Sequence, residues 1–247
     1  MKNLILNTDS YKASHFAQYP QGAEFVSSYI ESRGGVYSET LFFGLQAFIK
    51  DYLTTPLTAA DIDEADAIFT AHGVPFNRAG WEYILETYNG YLPLEIQAVK
   101  EGTMLPTGNV MVQVINTDPK CAWLTSYIET ALLRAVWYPT TVATVSKECR
   151  NIIARYMEDT AGSTDGIEFK LHDFGARGAS SEETAALGGA AAPSVAAAAP
   201  GQGQMKDKIT MMKQSVKDKA GDVKQKMQDL GVKIDDAGEE DAAEDVS

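Results

Sequence analysis

The sequence predicts an α+β fold: a domain over residues 1–160 with a small mixed or antiparallel sheet and several helices. Three observations carry that reading. β-Branched residues gather in one stretch, 92–115, as two runs split by Gly and Pro. These runs, Glu95-Ile96-Gln97-Ala98-Val99 and Val110-Met111-Val112-Gln113-Val114, read as a strand pair. Elsewhere apolar residues recur at helical spacing. With 45% hydrophobic residues in a chain of 247, there is enough apolar material to bury a core.

The elements follow in order. Asp9 or Ser10 caps a short helix carrying Tyr11, Lys12, His15 and Phe16. Ala23-Glu24-Phe25-Val26-Ser27-Ser28-Tyr29-Ile30 reads as a strand ending at Glu31-Ser32-Arg33-Gly34-Gly35. Leu41, Phe42, Leu45, Phe48, Ile49, Tyr52 and Leu53 recur at helical spacing. Thr58 and Asp61 resemble a capping box that starts a second helix, which Gly73 stops. Trp81, Ile84 and Leu85 mark a third. After the strand pair, Asp118-Pro119 is a cap followed by a first-turn proline. Two helices are predicted next, about 120–136 and 140–159, separated by Trp137-Tyr138-Pro139.

Residues 161–190 begin a different unit. Ile167-Glu168-Phe169-Lys170 reads as a strand, and Ser180-Ser181-Glu182-Glu183 opens a helix. Between them runs Leu171-His172-Asp173-Phe174-Gly175-Ala176-Arg177-Gly178. Residues 191–204, rich in Ala, Gly and Pro, have linker composition. Over 205–234, Ile209, Val216, Val223 and Leu230 stand seven apart in an amphipathic helical pattern. Residues 235–247 are an acidic tail with the composition of disorder.

Composition excludes several classes. A net charge of −13 argues against nucleic-acid binding, which calls for a basic surface. Leu4-Ile5-Leu6 is too short for a signal-peptide core, and the Ala/Gly run before Pro200 is too weakly apolar to span a bilayer. These features predict a soluble, cytoplasmic protein without a transmembrane segment. Cys121 and Cys149 lie far apart with no second Cys or His at ligand spacing, which predicts reduced structural thiols. The sequence contains no Gly-x-x-x-x-Gly-Lys-Ser/Thr loop, Gly-x-Gly-x-x-Gly, His-Glu-x-x-His or Gly-x-Ser-x-Gly pattern.

Three clusters have residue types suited to chemistry. At the end of the 167–170 run, Phe174 can stack on a flat ring. Arg177 offers a planar fork for phosphate or carboxylate, and Asp173 can orient Arg177 or a substrate group. Free N–H groups at the start of the following helix favour an anion. The second cluster is Asp9, Tyr11, Lys12 and His15; the third is Arg33 beside two glycines. Taken alone, each also has a plain structural account: a Phe in a core, an Arg in a surface ion pair, a capped helix, a solvated loop.

In combination these stretches resemble the nicotinamide phosphoribosyltransferase family. The resemblance rests on Thr8-Asp9-Ser10-Tyr11-Lys12 with His15, Phe43-Gly44-Leu45-Gln46, Gly80-Trp81, Asn116-Thr117-Asp118-Pro119, Trp123-Leu124-Thr125, Ile128-Glu129-Thr130, Trp137-Tyr138-Pro139 and 171–178. They run in family order from residue 5 to about 190. It implies synthesis of nicotinamide mononucleotide from nicotinamide and phosphoribosyl pyrophosphate in NAD salvage, with Mg²⁺ accompanying the pyrophosphate substrate and a homodimer sharing its active sites. It implies that Phe174 stacks one face of nicotinamide and Tyr11 of the partner subunit covers the other. Arg177 then lies near the amide and phosphate, Arg33 reaches the phosphates across the dimer, and Asp9 and Asp173 border the site.

The family chain is longer. Residues 161–190 correspond to the first strand and helix of its phosphoribosyltransferase barrel, and residues 191–247 have no family counterpart. The barrel strands that carry the amide-reading acid and the ATP-coupled histidine are absent here. Neither a catalytic residue nor a metal ligand is therefore assigned to this chain, and the ATP site is not expected in it. The amide preference over nicotinate rests on the resemblance alone. Three readings remain: an enzyme of this lineage completed by a second chain that supplies the barrel, a non-catalytic dimerisation or interaction fragment, or an inactive truncated product.

Overall fold

The computed structural model describes residues 3–194. The expected helix over 205–234 and acidic tail over 235–247 lie outside the described residues, as does the expected linker beyond Ser194. The chain opens with a 3-10 helix, Ser10–Gln18, followed by strands β1 (Ser27–Glu31) and β2 (Glu39–Leu41). Helix α1 (Leu45–Phe48) continues into a π-helical turn, Ile49–Leu53. Then come α2 (Ala59–His72), α3 (Arg78–Tyr88), β3 (Leu94–Ala98), β4 (Met104–Pro106) and β5 (Val110–Asn116). A 3-10 turn, Pro119–Cys121, leads to α4 (Ala122–Tyr127) and α5 (Glu129–Ala161). Two 3-10 turns, Ile167–Phe169 and Gly175–Gly178, precede α6 (Glu182–Ser194).

The expected sheet is antiparallel, in the order β1-β5-β3, with β5 central. Tyr29 faces Gln113 on one side of β5, and Ile96 faces Val114 on the other. A separate two-stranded ribbon pairs Thr40 of β2 with Leu105 of β4. Leu41, placed in a helix by its spacing, belongs to that ribbon. The capping box forms as expected: Thr58 Oγ1 accepts from Asp61 N, and Asp61 Oδ2 accepts from Thr58 N at 2.8 Å. Gly73 ends α2 in the left-handed conformation, φ 77°.

The core forms between the sheet and the helices. Trp81 of α3 sits edge-on to Trp123 and Tyr127 of α4, with ring centroids 4.9 and 5.0 Å away. All three are buried. The Tyr127 hydroxyl donates to Ile5 O at 2.7 Å, and Thr8 Oγ1 donates to Tyr127 O at 3.0 Å. These bonds tie the segment leading into the Ser10–Gln18 helix onto α4.

Other expectations are corrected. The break at Pro139 does not occur; α5 is one helix of 33 residues with Pro139 inside it. Proline removes a helical donor and crowds the carbonyl four residues earlier, here Ala135. Tertiary packing offsets that cost. Gly44, at φ 110°, lies so close that a Cβ there would stand 2.4 Å from Ala135 O and 2.8 Å from the Pro139 ring. Past the proline, Thr140 Oγ1 donates to Phe43 O at 3.1 Å and accepts from Phe43 N at 3.2 Å. Leu41 N donates to Thr144 Oγ1 at 2.9 Å. The hydroxyls of α5 thereby satisfy backbone groups on the segment containing β2.

The strand expected over 167–170 is instead the 3-10 turn Ile167–Phe169. No strand lies beside it among the described residues, and an unpaired strand leaves its backbone groups without partners. The turn satisfies them locally: Ile167 N donates to Thr164 O, Phe169 N to Gly166 O and Lys170 N to Ile167 O. Residues 191–194, read as the start of a linker, lie in α6, where an alanine run has high helix propensity. No described helix is long and apolar enough to cross a membrane.

Candidate substrate-binding site

The Asp9–His15 cluster sits on the Ser10–Gln18 helix. Asp9 holds the cap position, but its side chain does not cap. Its carboxylate accepts from Thr130 Oγ1 of α5 at 2.6 Å. Lys12 is the anchor of this helix: its side chain is 5% exposed and pairs with Glu129 at the start of α5. Lys12 Nζ also reaches Ser126 Oγ at 3.4 Å. Tyr11, next in sequence, points outward and is 56% exposed, with its ring 5.2 Å from the His15 ring in a tilted contact. Polar bonds thus lock the helix at Lys12, while the adjacent Tyr11 ring, 5.7 Å from Lys12 Nζ, stands exposed.

Arg33 follows β1, where the register with β5 shifts between Ile30 and Glu31. It lines a cavity of ≈470 Å³ with Tyr29, Glu31, Thr125, Glu129 and Leu133, among others. Thr125 Oγ1 is buried on that wall without a hydrogen-bond partner. Glu129 both lines this cavity and holds Lys12. The second and third sequence clusters therefore meet around the α4–α5 junction. Glu129 and Thr130, which organise them, were not singled out as site residues; the signal was the run Ile128-Glu129-Thr130, whose spacing alone does not reveal what it touches.

The Phe174 group lies on 171–178. Asp173 Oδ1 accepts from Gly175 N at 2.6 Å, so its carboxylate shapes the turn. Phe174 is 80% exposed, and its ring centroid lies 6.2 Å from that of His172. Arg177 is exposed on the turn Gly175–Gly178. At the start of α6, Ser181 Oγ accepts from Thr184 N at 3.2 Å, so one N–H expected to be free for an anion is already satisfied. Among the described residues, no hydrogen bond, ion pair or ring contact joins this group to Tyr11 or Arg33.

A further polar cluster was legible only as a helix cap. Asp118 accepts from Lys120 N at 2.8 Å, as the Asp-Pro pattern predicts. It also accepts from the hydroxyls of Tyr83 at 2.7 Å and Tyr88 at 2.6 Å. The Tyr88 bond leads in holding the Asp118 carboxyl below its ordinary range, and the same bond pushes Tyr88 up to about 12. Lys120 Nζ sits 4.7 Å from the Tyr83 ring centroid. Neighbouring Cys121 is a free, buried thiol pushed up to about 12 by desolvation, which suits a structural rather than a nucleophilic thiol. Cys149 is also free and half-buried.

Residues 3–96 match the model of the nicotinamide phosphoribosyltransferase N-terminal domain. The nicotinamide phosphoribosyltransferase of Xanthomonas campestris pv. campestris is 54% identical over 192 residues, covering 77% of this chain and 41% of that protein. The nicotinamide phosphoribosyltransferase of Acinetobacter baylyi is 32% identical over 197 residues, covering 73% of this chain and 39% of that one. This chain thus spans about two fifths of the length of these relatives. The crystal structure of human nicotinic acid phosphoribosyltransferase aligns with a TM-score of 0.49 at 21% identity, covering 75% of this chain and 34% of that one. Over residues 3–96, the chain is similar to the N-terminal domain of the nicotinamide phosphoribosyltransferase family.

Proposed function

We propose that this chain contributes the N-terminal part of a nicotinamide phosphoribosyltransferase site in cytoplasmic NAD salvage. In that reaction the nicotinamide ring nitrogen attacks C1 of phosphoribosyl pyrophosphate, the C1–O bond to pyrophosphate breaks, and pyrophosphate leaves. Phe174 stacks one face of nicotinamide, and Tyr11 of the partner subunit covers the opposite face. Arg177 engages the amide and phosphate side, and Arg33 reaches the phosphates across the dimer. Asp9 fixes the Tyr11 helix through Thr130, and Asp173 fixes the Phe174 turn through Gly175 N.

The observation that carries this reading is the mounting of Tyr11. An ion pair from the buried Lys12 to the exposed Glu129 and a carboxylate–threonine bond immobilise its helix, yet the ring faces solvent. An exposed aromatic on a rigid mount is suited to closing over a flat ligand. Mg²⁺ enters this reading with the pyrophosphate substrate, whose charge it neutralises. Among the described residues no three His, Cys, Asp or Glu side chains gather as its ligands. ATP is a coupling substrate of the family reading, without assigned residues here.

The test is single-turnover formation of nicotinamide mononucleotide by the chain together with the remainder of the family fold. Product that depends on Phe174 supports the proposal; product unaffected by Phe174→Ala contradicts it. A second reading, a non-catalytic dimerisation or interaction fragment, draws support from the absence of a barrel strand at 167–170.

A further inference from the structure

One carboxylate stands between the two groups that the proposed function has this chain lend across the dimer. Glu129 opens α5 and pairs with Lys12, the buried anchor of the helix that carries Tyr11. Lys12 Nζ lies 5.7 Å from the centroid of the Tyr11 ring. The other hydrogen bond of Lys12 Nζ is long, 3.4 Å to Ser126 Oγ, so Glu129 supplies its counter-charge. The Glu129 side chain is half exposed and also lines the ≈470 Å³ cavity beside Arg33. Among the described residues no ion pair holds Arg33.

We infer that Glu129 is a positioning residue that couples an anion held by Arg33 to the mount of Tyr11. The inference rests on the proposed function and adds a regulation of that site. One carboxylate serves two cations. Without an anion on Arg33, Glu129 is drawn toward Arg33 as well as Lys12, and each turn toward Arg33 uncovers the buried ammonium. Thr125, four residues earlier on the same cavity wall, has a buried hydroxyl with no hydrogen-bond partner, which gives the displaced carboxylate a donor. A phosphate group on Arg33 brings that guanidinium its own counter-charge and repels Glu129, leaving the carboxylate to Lys12. The Tyr11 helix is then held more firmly. The coupling is reciprocal: a firm Lys12–Glu129 pair favours the anion. Glu31 is the cavity's other carboxylate, two residues before Arg33, and no ion pair joins it to Lys12 among the described residues.

The experiment uses the full 247-residue chain with inorganic pyrophosphate as the probe. Calorimetry reads the affinity, and amide exchange reads the helix over residues 10–18. In the wild type, pyrophosphate is expected to slow exchange over 10–18 by about fivefold or more. Glu129→Gln binds it at least as tightly, because a like charge has left the cavity, yet exchange over 10–18 changes by less than about twofold. Lys12→Met leaves Glu129 to Arg33 and binds pyrophosphate more weakly. Glu31→Gln removes the cavity's other carboxylate and keeps the protection of 10–18. Circular dichroism selects the folded variants; if Glu129→Gln does not fold, the Lys12→Met and Glu31→Gln arms decide. The inference is overturned if pyrophosphate does not bind, if protection survives Glu129→Gln or is lost in Glu31→Gln, or if Lys12→Met binds as tightly as wild type. Coupling without nicotinamide mononucleotide from the completed enzyme upholds the inference and overturns the catalytic reading. Product without coupling does the reverse.

Discussion

Lys12 and Glu129 form an ion pair in which only one partner meets water: the Lys12 side chain is 5% exposed and that of Glu129 51%. This asymmetry decides which partner matters for stability. Glu129→Ala leaves an ammonium group buried without its counter-charge and is expected to cost about 1–3 kcal/mol in urea unfolding. Lys12→Met removes the buried charge itself and is expected to cost less. An equal loss from both variants would contradict this account of the pair.

Tyr11 and Phe174 are expected to matter to ligand binding and not to folding. At 56% and 80% exposure, neither ring supports the core. Alanine at either position is expected to change stability by no more than about 0.5 kcal/mol. In the completed enzyme each variant is expected to abolish most product formation. If Tyr11 serves the partner's site, mixed dimers of Tyr11→Ala and Phe174→Ala contain one intact site. Statistical mixing then restores about a quarter of the wild-type activity. No recovery on mixing would place both rings in one subunit's site.

Asp118 gives the fold a defined acid sensitivity. Its carboxyl lies below the ordinary range when folded, chiefly through the Tyr88 hydroxyl. A group with a depressed folded pKa contributes stability above its unfolded pKa and loses it as pH falls through the folded value. Wild-type stability is therefore expected to drop in the acid range more steeply than that of Asp118→Asn. Tyr88, pushed up to about 12, contributes in the opposite sense: its share is present below the unfolded tyrosine value and lost as pH rises through about 12. Parallel stability profiles for wild type and Asp118→Asn between pH extremes would contradict the cluster's role.

Gly44 is expected to be among the least replaceable glycines of the fold. It adopts φ 110°, and a Cβ there would meet Ala135 O at 2.4 Å. Gly44→Ala combines backbone strain with a steric clash and is expected to destabilise by about 2–4 kcal/mol in thermal unfolding. A smaller loss would mean that α5 shifts freely at Pro139.

Much of the fold was legible from local patterns. The strand pair β3–β5, the Thr58–Asp61 capping box, the Gly73 stop and the Asp118-Pro119 cap each depend on residues close in sequence. The failures depend on distant partners. Pro139 reads as a break until Gly44, Phe43 and Leu41 pack against α5. Ile167-Glu168-Phe169-Lys170 reads as a strand, but a strand requires a neighbour, and the described residues supply none. Likewise, Asp9 or Ser10 reads as a side-chain cap, but the Asp9 carboxylate instead bonds Thr130, and that bond and the burial of Lys12 arise only once α5 folds across the chain.

The most direct test of the central claim is single-turnover synthesis of nicotinamide mononucleotide from nicotinamide, phosphoribosyl pyrophosphate and Mg²⁺ by this chain mixed with the remainder of the family fold. The account predicts product from the mixture, none from either polypeptide alone, and loss of product in Phe174→Ala. A folded mixture that yields no product, or product that survives Phe174→Ala, would contradict it.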